Sequence, residues 1–201
     1  VTTATIDTDR KLSRSDLMSL EQYAEARGDF RSKVIAHKSP RRVALGPHAT
    51  LIFEDRLTIQ YQIQEMLRVE RIFDAKGIEE ELEAYNPLIP DGSNWKATLL
   101  IEFPDAEERR VALAKMPGLE HKLWVQAGDT RRTFAIANED LDRSNDEKTA
   151  AVHFLRFEFD AGQKQALQSG AAVRMGIDHP QLPYEVTLSE AARNSLVGDL
   201  S

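Results

Sequence analysis

Apolar and polar positions change their spacing several times along this chain, and each change marks an element. Residues 1–12 show no periodicity and read as a frayed tail. Ser15-Asp16 offers a cap before LMSLEQYAEA, where Leu17, Leu20 and Ala24 recur at helical spacing. Gly28 predicts the end of that helix, and Phe30–His37 a second short one closed by Ser39-Pro40, because the residue before proline avoids the helical basin. RRVAL and ATLIFE, on either side of Gly46-Pro47-His48, predict a β-hairpin. Arg56–Asp74 is ambiguous. LTIQYQIQ alternates as a strand would, whereas EMLRVERIF reads as helix. Its good helix formers and the following Gly77 favour one long helix, with a strand leading into a helix as the alternative.

Ile78–Ala84 continues as an acidic helix and breaks at YNPLIPDGSNW, a stiff, turn-rich connection. Beyond it the pattern becomes strand-like. KATLLIEF is a strand, and Asp105–Met116 a helix capped by Asp105. KLWVQ and RTFAIA form a hairpin about Gly128-Asp129, and NEDLDRSNDEKT is a loop. TAAVHFLRFEFD is the clearest strand, followed by the helix AGQKQALQSG, the strand AVRMGI, the bend DHPQLP and a last helix over Ser189–Val197. Connections this short do not allow parallel crossovers. The order therefore predicts an α+β fold: a largely antiparallel sheet covered by helices, with an N-terminal helical region, a hairpin and a long helix, all in one domain over 13–201.

Composition narrows the chemistry. The 201 residues contain no cysteine, which removes disulfides, thiolate zinc sites, cysteine-ligated clusters and cysteine nucleophiles. No apolar run approaches the roughly 20 residues that cross a bilayer, and the polar N-terminus lacks a signal-peptide core, so the expected location is the cytoplasm. The net charge of −7 hides a segregation. Arg27–Arg42 holds six basic residues and His37 against one acid, and Asp74–Glu108 holds ten acids against two lysines. The basic block, with His37, Arg41 and Arg42, suits an anion or an acidic partner. It equally suits a solvated helix face, which is the commoner use of such runs, and the acidic total argues against nucleic acid.

Candidate site residues follow from type and position. On the helical reading Gln60, Gln64, Arg68 and Arg71 form a polar stripe beside an apolar one. The loop presents Asn86, Asp91, Ser93, Asn94, Trp95 and Lys96 as hydrogen-bonding groups and an aromatic plate; the competing reading is capping, with Trp95 buried at a strand start. A composite metal or anion site would draw on Glu54, Glu65, Glu70, His153 and His179, with Arg42 and Arg68 for an anion, but no spacing links them. His153 shares a strand face with Leu155, Phe157 and Phe159, as a hydrogen-bonded core histidine does. His179 lies between Asp178, which would orient it if the side chains met, and Pro180. Phosphate loops, dinucleotide fingerprints and nucleophile elbows are absent.

The strings VIAHKSPRRVALGPHATLIFEDRLTIQYQIQEMLRVERIF, EAYNPLIPDGSNWKATLLIEF, VHFLRFEF and GIDHP resemble the bacterial domain-of-unknown-function 3501 family, over nearly everything from Leu12 onward. The resemblance carries no activity and no catalytic residues. It implies a genomic neighbourhood shared with a rubrerythrin-like di-iron protein and an iron–sulfur oxidoreductase. A cysteine-free chain with no Glu-x-x-His motif is then expected to accompany such redox centres as an accessory or partner protein.

Overall fold

The computed structural model describes residues 11–145 and 148–201, so most of the expected tail, and Asp146 and Glu147 of the expected loop, lie outside the described residues. The chain forms two compact units. A helical unit comprises the chain up to Ser39 together with Glu54–Asp91, and a sheet unit comprises Pro40–Phe53 with Gly92–Ser201.

In the helical unit Ser15-Asp16 caps no long helix. It closes a short 3-10 turn over Arg14–Asp16, in which Asp16 accepts the Ser13 amide at 2.8 Å. The first long helix, α1 (Leu20–Lys38), starts four residues later at Ser19. The Ser19 hydroxyl accepts the Gln22 amide at 3.2 Å and Gln22 returns to the Ser19 amide at 3.0 Å, a reciprocal cap. The helix runs through Gly28, contrary to the expected stop. A Cβ at Gly28 would meet nothing, so this position faces open space, and buried Tyr23 and Val34 on either side outweigh the roughly 1 kcal/mol that one mid-helix glycine costs. α2 (Arg56–Glu70) is one helix, capped by Asp55 onto the Thr58 amide at 3.0 Å. The strand-like alternation of LTIQYQIQ yields to the four-residue spacing of Ile59, Ile63 and Leu67, which join Leu12, Leu82 and Ile89 in this unit's core. Leu12, expected in the frayed tail, is therefore a core residue. α3 (Ala75–Tyr85) follows, capped by Asp74.

The sheet unit begins with the expected hairpin, β1 (Arg42–Ala44) and β2 (Ala49–Glu54), paired antiparallel. The remaining strands are β3 (Asn94–Ile101), β4 (Leu123–Ala127), β5 (Thr133–Phe134), β6 (Ile136–Ala137), β7 (Val152–Glu158), β8 (Val173–Ile177) and β9 (Tyr184–Thr187). The helices are α4 (Ala106–Leu113), α5 (Ala161–Gln168) and α6 (Glu190–Val197). Two antiparallel sheets result, in the orders β1-β2-β3-β7-β6 and β5-β4-β8-β9, and the fold is α+β as expected.

The run RTFAIA is not the simple second arm of a hairpin. Thr133 and Phe134 pair with β4, the Ala135 amide reaches the Leu123 carbonyl at 2.9 Å, and Ile136 and Ala137 pair with β7. One extended run thus turns a corner from one sheet into the other, and a single core lies between them. Trp95, Phe53 and Phe159 meet there edge to face, and the Trp95 indole donates to the Leu196 carbonyl at 2.8 Å. Two glycines are dictated by ring contacts. Gly46 has φ +80° and its missing Cβ would lie 2.5 Å from the Tyr184 ring; at Gly176 a Cβ would meet the Trp124 ring at 2.5 Å.

Candidate functional site

The polar candidates of the helical unit hold its segments together. Glu65 accepts the Tyr23 hydroxyl at 2.7 Å and the Arg27 guanidinium at 2.7 and 2.9 Å, with Arg68 at 3.4 Å. The Arg27 hydrogen bonds lead in holding the Glu65 carboxyl down to about 2. Burial, then the adjacent Glu65, pushes the Tyr23 phenol well above its ordinary value. Every good donor direction on Glu65 is occupied, so an incoming metal would have to displace Arg27.

The glutamines of the stripe do not simply face water. Gln60 donates to the Asp16 carbonyl at 2.6 Å. Fully buried Gln64 takes the Met18 amide at 2.6 Å and donates to the Met18 carbonyl at 3.3 Å, as a neighbouring strand would. Asn86 does the same for Leu12, at 2.8 and 2.9 Å. His37 pairs with Asp55, the cap of α2. Buried Glu54 accepts the Thr58 hydroxyl, while Glu70 and Asp91 are exposed.

In the sheet unit Arg41 is 1% exposed. It donates to the Phe53 carbonyl at 3.0 Å, to Ser195 at 3.3 and 3.4 Å and to Asp199 at 2.6 and 3.3 Å. Arg42 pairs at the surface with Glu102 at 3.5 Å. Arg27, His37, Arg41 and Arg42 of the basic block are thus engaged in separate internal pairings. Asn94 is buried and donates to Glu158 at 3.1 Å, Trp95 belongs to the core, and half-buried Lys96 lies close enough to Glu139 to help lower its carboxyl, behind the larger effect of Arg156.

His153 is fully buried, and its partners come from elements no spacing rule connects. Nε2 lies 2.8 Å from the Thr149 hydroxyl and 3.0 Å from the Ala150 carbonyl. A carbonyl only accepts, so Nε2 carries the proton and Nδ1 accepts from the Asn138 amide nitrogen at 3.1 Å. Thr149 continues to buried Glu120 at 3.2 Å and to Ser144 at 2.6 Å. Burial pushes the imidazole below its ordinary value against the opposing pull of Glu120. Burial also works to raise Glu120, but Ser144, the backbone and the neighbouring imidazoles outweigh it and leave the carboxyl lowered. A hydroxyl set between a carboxylate and an imidazole has the ingredients of a nucleophile and base. Here Glu120, Thr149 and His153 are each 2% exposed or less, so the chain closes over them and they act as a polar core.

Sequence reasoning found His153 and missed Glu120, Asn138, Ser144 and Thr149. The one available signal was Asn138, a residue type that tolerates the left-handed backbone it adopts at φ 54°. Asp178 does not orient His179: it accepts the Trp124 indole at 2.9 Å and Arg132 at 2.8 Å. Burial and then Lys122 lower the His179 imidazole, whose Nδ1 accepts the Gln181 amide at 3.2 Å. Among the described residues no three His, Asp or Glu side chains converge as a metal would require.

What the helical unit leaves open is a surface of mixed character, to which Arg14, Ser15 and Ser19 also contribute. Leu17, Met18, Leu20, Leu67, Ile72 and Phe73 line a groove of about 510 Å³ between the extended segment before α1 and the turn joining α2 to α3. Phe73 is 78% exposed, and Val69, one helical turn earlier, is 63% exposed. The turn is tightly specified. Arg71 sits at φ 57°, Ile72 packs where a Cβ on Gly77 would approach it to 2.6 Å, and Asp74 caps the Gly77 amide at 2.9 Å. A left-handed arginine costs about 1 kcal/mol and a solvated phenyl forgoes about 2 kcal/mol of burial. Both penalties fall on this turn.

Two units of this make, one helical and one built on two antiparallel sheets, define an α+β protein. The chain matches the family model described as "Protein of unknown function (DUF3501)" over residues 11–200, and it belongs to that family. It is similar to a solved structure, the crystal structure of a novel protein of unknown function from Burkholderia pseudomallei K96243. The two are 48% identical, with a TM-score of 0.91, covering 95% of this chain and 100% of the other. The chain matches no curated protein.

Proposed function

We propose that this protein is a cytoplasmic accessory that works by docking onto another protein, and that the partner is an iron-dependent redox protein, rubrerythrin-like or an iron–sulfur oxidoreductase. The observation that carries the docking reading is the groove beside Phe73, a phenyl side chain 78% exposed at a tightly specified turn. The identity of the partner rests on the family resemblance. The members of a composite enzyme site lend that reading no comparable support. Glu65, Glu54 and His153 are engaged by their own neighbours, and Glu70 is a solvated helix-end residue. No described helix is long and apolar enough to cross a membrane.

Co-expression with each of the two redox proteins, followed by size-exclusion chromatography at micromolar concentration, tests the proposal. A shared peak is expected with one of them, reduced by Phe73→Ser. Separate elution from both, or a complex indifferent to Phe73→Ser, would overturn it.

A further inference from the structure

The wall of the Phe73 groove restricts what can fill it. Its extended side offers no strand edge: Gln64 takes both the amide and the carbonyl of Met18, Gln22 takes the Ser19 amide, and the Ser19 carbonyl accepts from Tyr23. The Leu17 amide is spent on the Arg14 carbonyl and the Asp16 carbonyl on Gln60. An incoming strand would find almost no ladder to join, so a bound segment must satisfy its own backbone, which a helix does. The floor demands apolar side chains.

Charge supplies the remaining constraint. In a chain with 33 acids and 26 basic residues, the described residues that line the groove include no acid and one cation, Arg14. Arg14 is exposed and its guanidinium pairs with no acid among the described residues. Resting on the docking proposal above, we infer that the groove receives an amphipathic helix of the partner whose apolar stripe covers Leu17, Ile72 and Phe73 and whose flank places a carboxylate against Arg14.

Two synthetic 18-residue helical peptides test this, with identical leucines at i, i+3, i+4 and i+7, Ala and Gln elsewhere, and either Glu or Lys at two positions on one flank. Labelled peptide is titrated with the full chain and read by fluorescence anisotropy. The Glu peptide is expected to bind about tenfold tighter than the Lys peptide despite the −7 charge of the chain. Phe73→Ser should weaken binding by about thirtyfold, as removal of a hot-spot aromatic does. Arg14→Glu should reverse the preference. Both side chains are exposed, so thermal unfolding of the variants should match wild type. Equal or tighter binding of the Lys peptide, binding of neither, or an unchanged preference in Arg14→Glu would overturn the inference. A redox complex lost in Phe73→Ser but intact in Arg14→Glu would sink the acidic helix and spare the docking proposal. Glu-peptide binding without any redox complex would do the reverse.

Discussion

The two units use buried polar groups in opposite ways. In the sheet unit a buried ion pair, Arg41 with Asp199, and a buried hydroxyl–imidazole chain, Glu120–Thr149–His153, sit in or beside a closed core. In the helical unit Gln64 and Asn86 grip single residues of an extended lead-in, and the apolar surface stays partly uncovered. The contrast separates residues that close a core from residues that hold a groove open. Polar burial thus takes two forms: charged, hydroxyl and imidazole groups close a core in one unit, and side-chain amides fix an extended segment in the other.

The comparison can be broken first at Arg41. Asp199→Ala removes a charged partner from the buried Arg41 guanidinium in the sheet unit and should cost about 3 kcal/mol in denaturant unfolding. Adding Arg41→Met should recover part of that. Next in size is Gly176→Ala, whose Cβ would fall 2.5 Å from the Trp124 ring and 2.8 Å from the Tyr184 carbonyl, for a loss of about 2–3 kcal/mol in thermal unfolding.

Gln64→Leu strands the amide and carbonyl of Met18 and should cost about 2 kcal/mol. Hydrogen exchange should show the loss as faster exchange at Met18, with the amides of β3 and β7 unchanged. Faster exchange in those strands would deny that the two units can be perturbed separately.

Acid gives the smallest and most selective test. His153 in the fold lies below its ordinary 6.5, so the unfolded chain binds the extra proton first. The sheet unit therefore loses stability as pH falls below about 6.5, by at most about 1.4 kcal/mol per pH unit. Glu65 is lowered from 4.5 to about 2, so its contribution is intact above 4.5 and disappears as pH falls from there toward 2. Both tryptophans lie in the sheet unit and the three longest helices in the helical unit. Tryptophan fluorescence should therefore respond at a higher pH than far-UV helicity. His153→Gln should move the fluorescence onset down to the carboxylate range.

The sequence disclosed those features whose causes are local. The good helix formers of Arg56–Glu70 mark α2 even though its first half alternates, and His153 among Leu155, Phe157 and Phe159 reads as a core residue. Gly28 misled because a glycine with nothing around it costs a helix little when aromatic packing continues past it. The corner at Ala135 was hidden because each half of RTFAIA has ordinary strand character, and only the partner strands decide where it bends. The partners of His153 come from a 3-10 turn, a left-handed asparagine and a loop, which no sequence spacing ties together. The groove was invisible for the same reason. Leu17, Leu67 and Phe73 each look like core residues until the turn at Arg71 turns one of them outward.

The path of the chain also sets an order of events during synthesis. The helical unit is interrupted by Pro40–Phe53, which belongs to the sheet unit, so the polypeptide passes between the units three times. The β1–β2 hairpin emerges from the ribosome before β3, its neighbour in the sheet, has been made. At roughly 5–20 residues per second, the interval from Phe53 to Asn94 is about 2–8 s. For that interval Leu51 and Phe53 lack the core they later enter, while the helical unit is completed around them in sequence. Neither unit can be cut out as one continuous fragment, and a gene truncated after Asp91 would encode a finished helical unit carrying an orphaned hairpin.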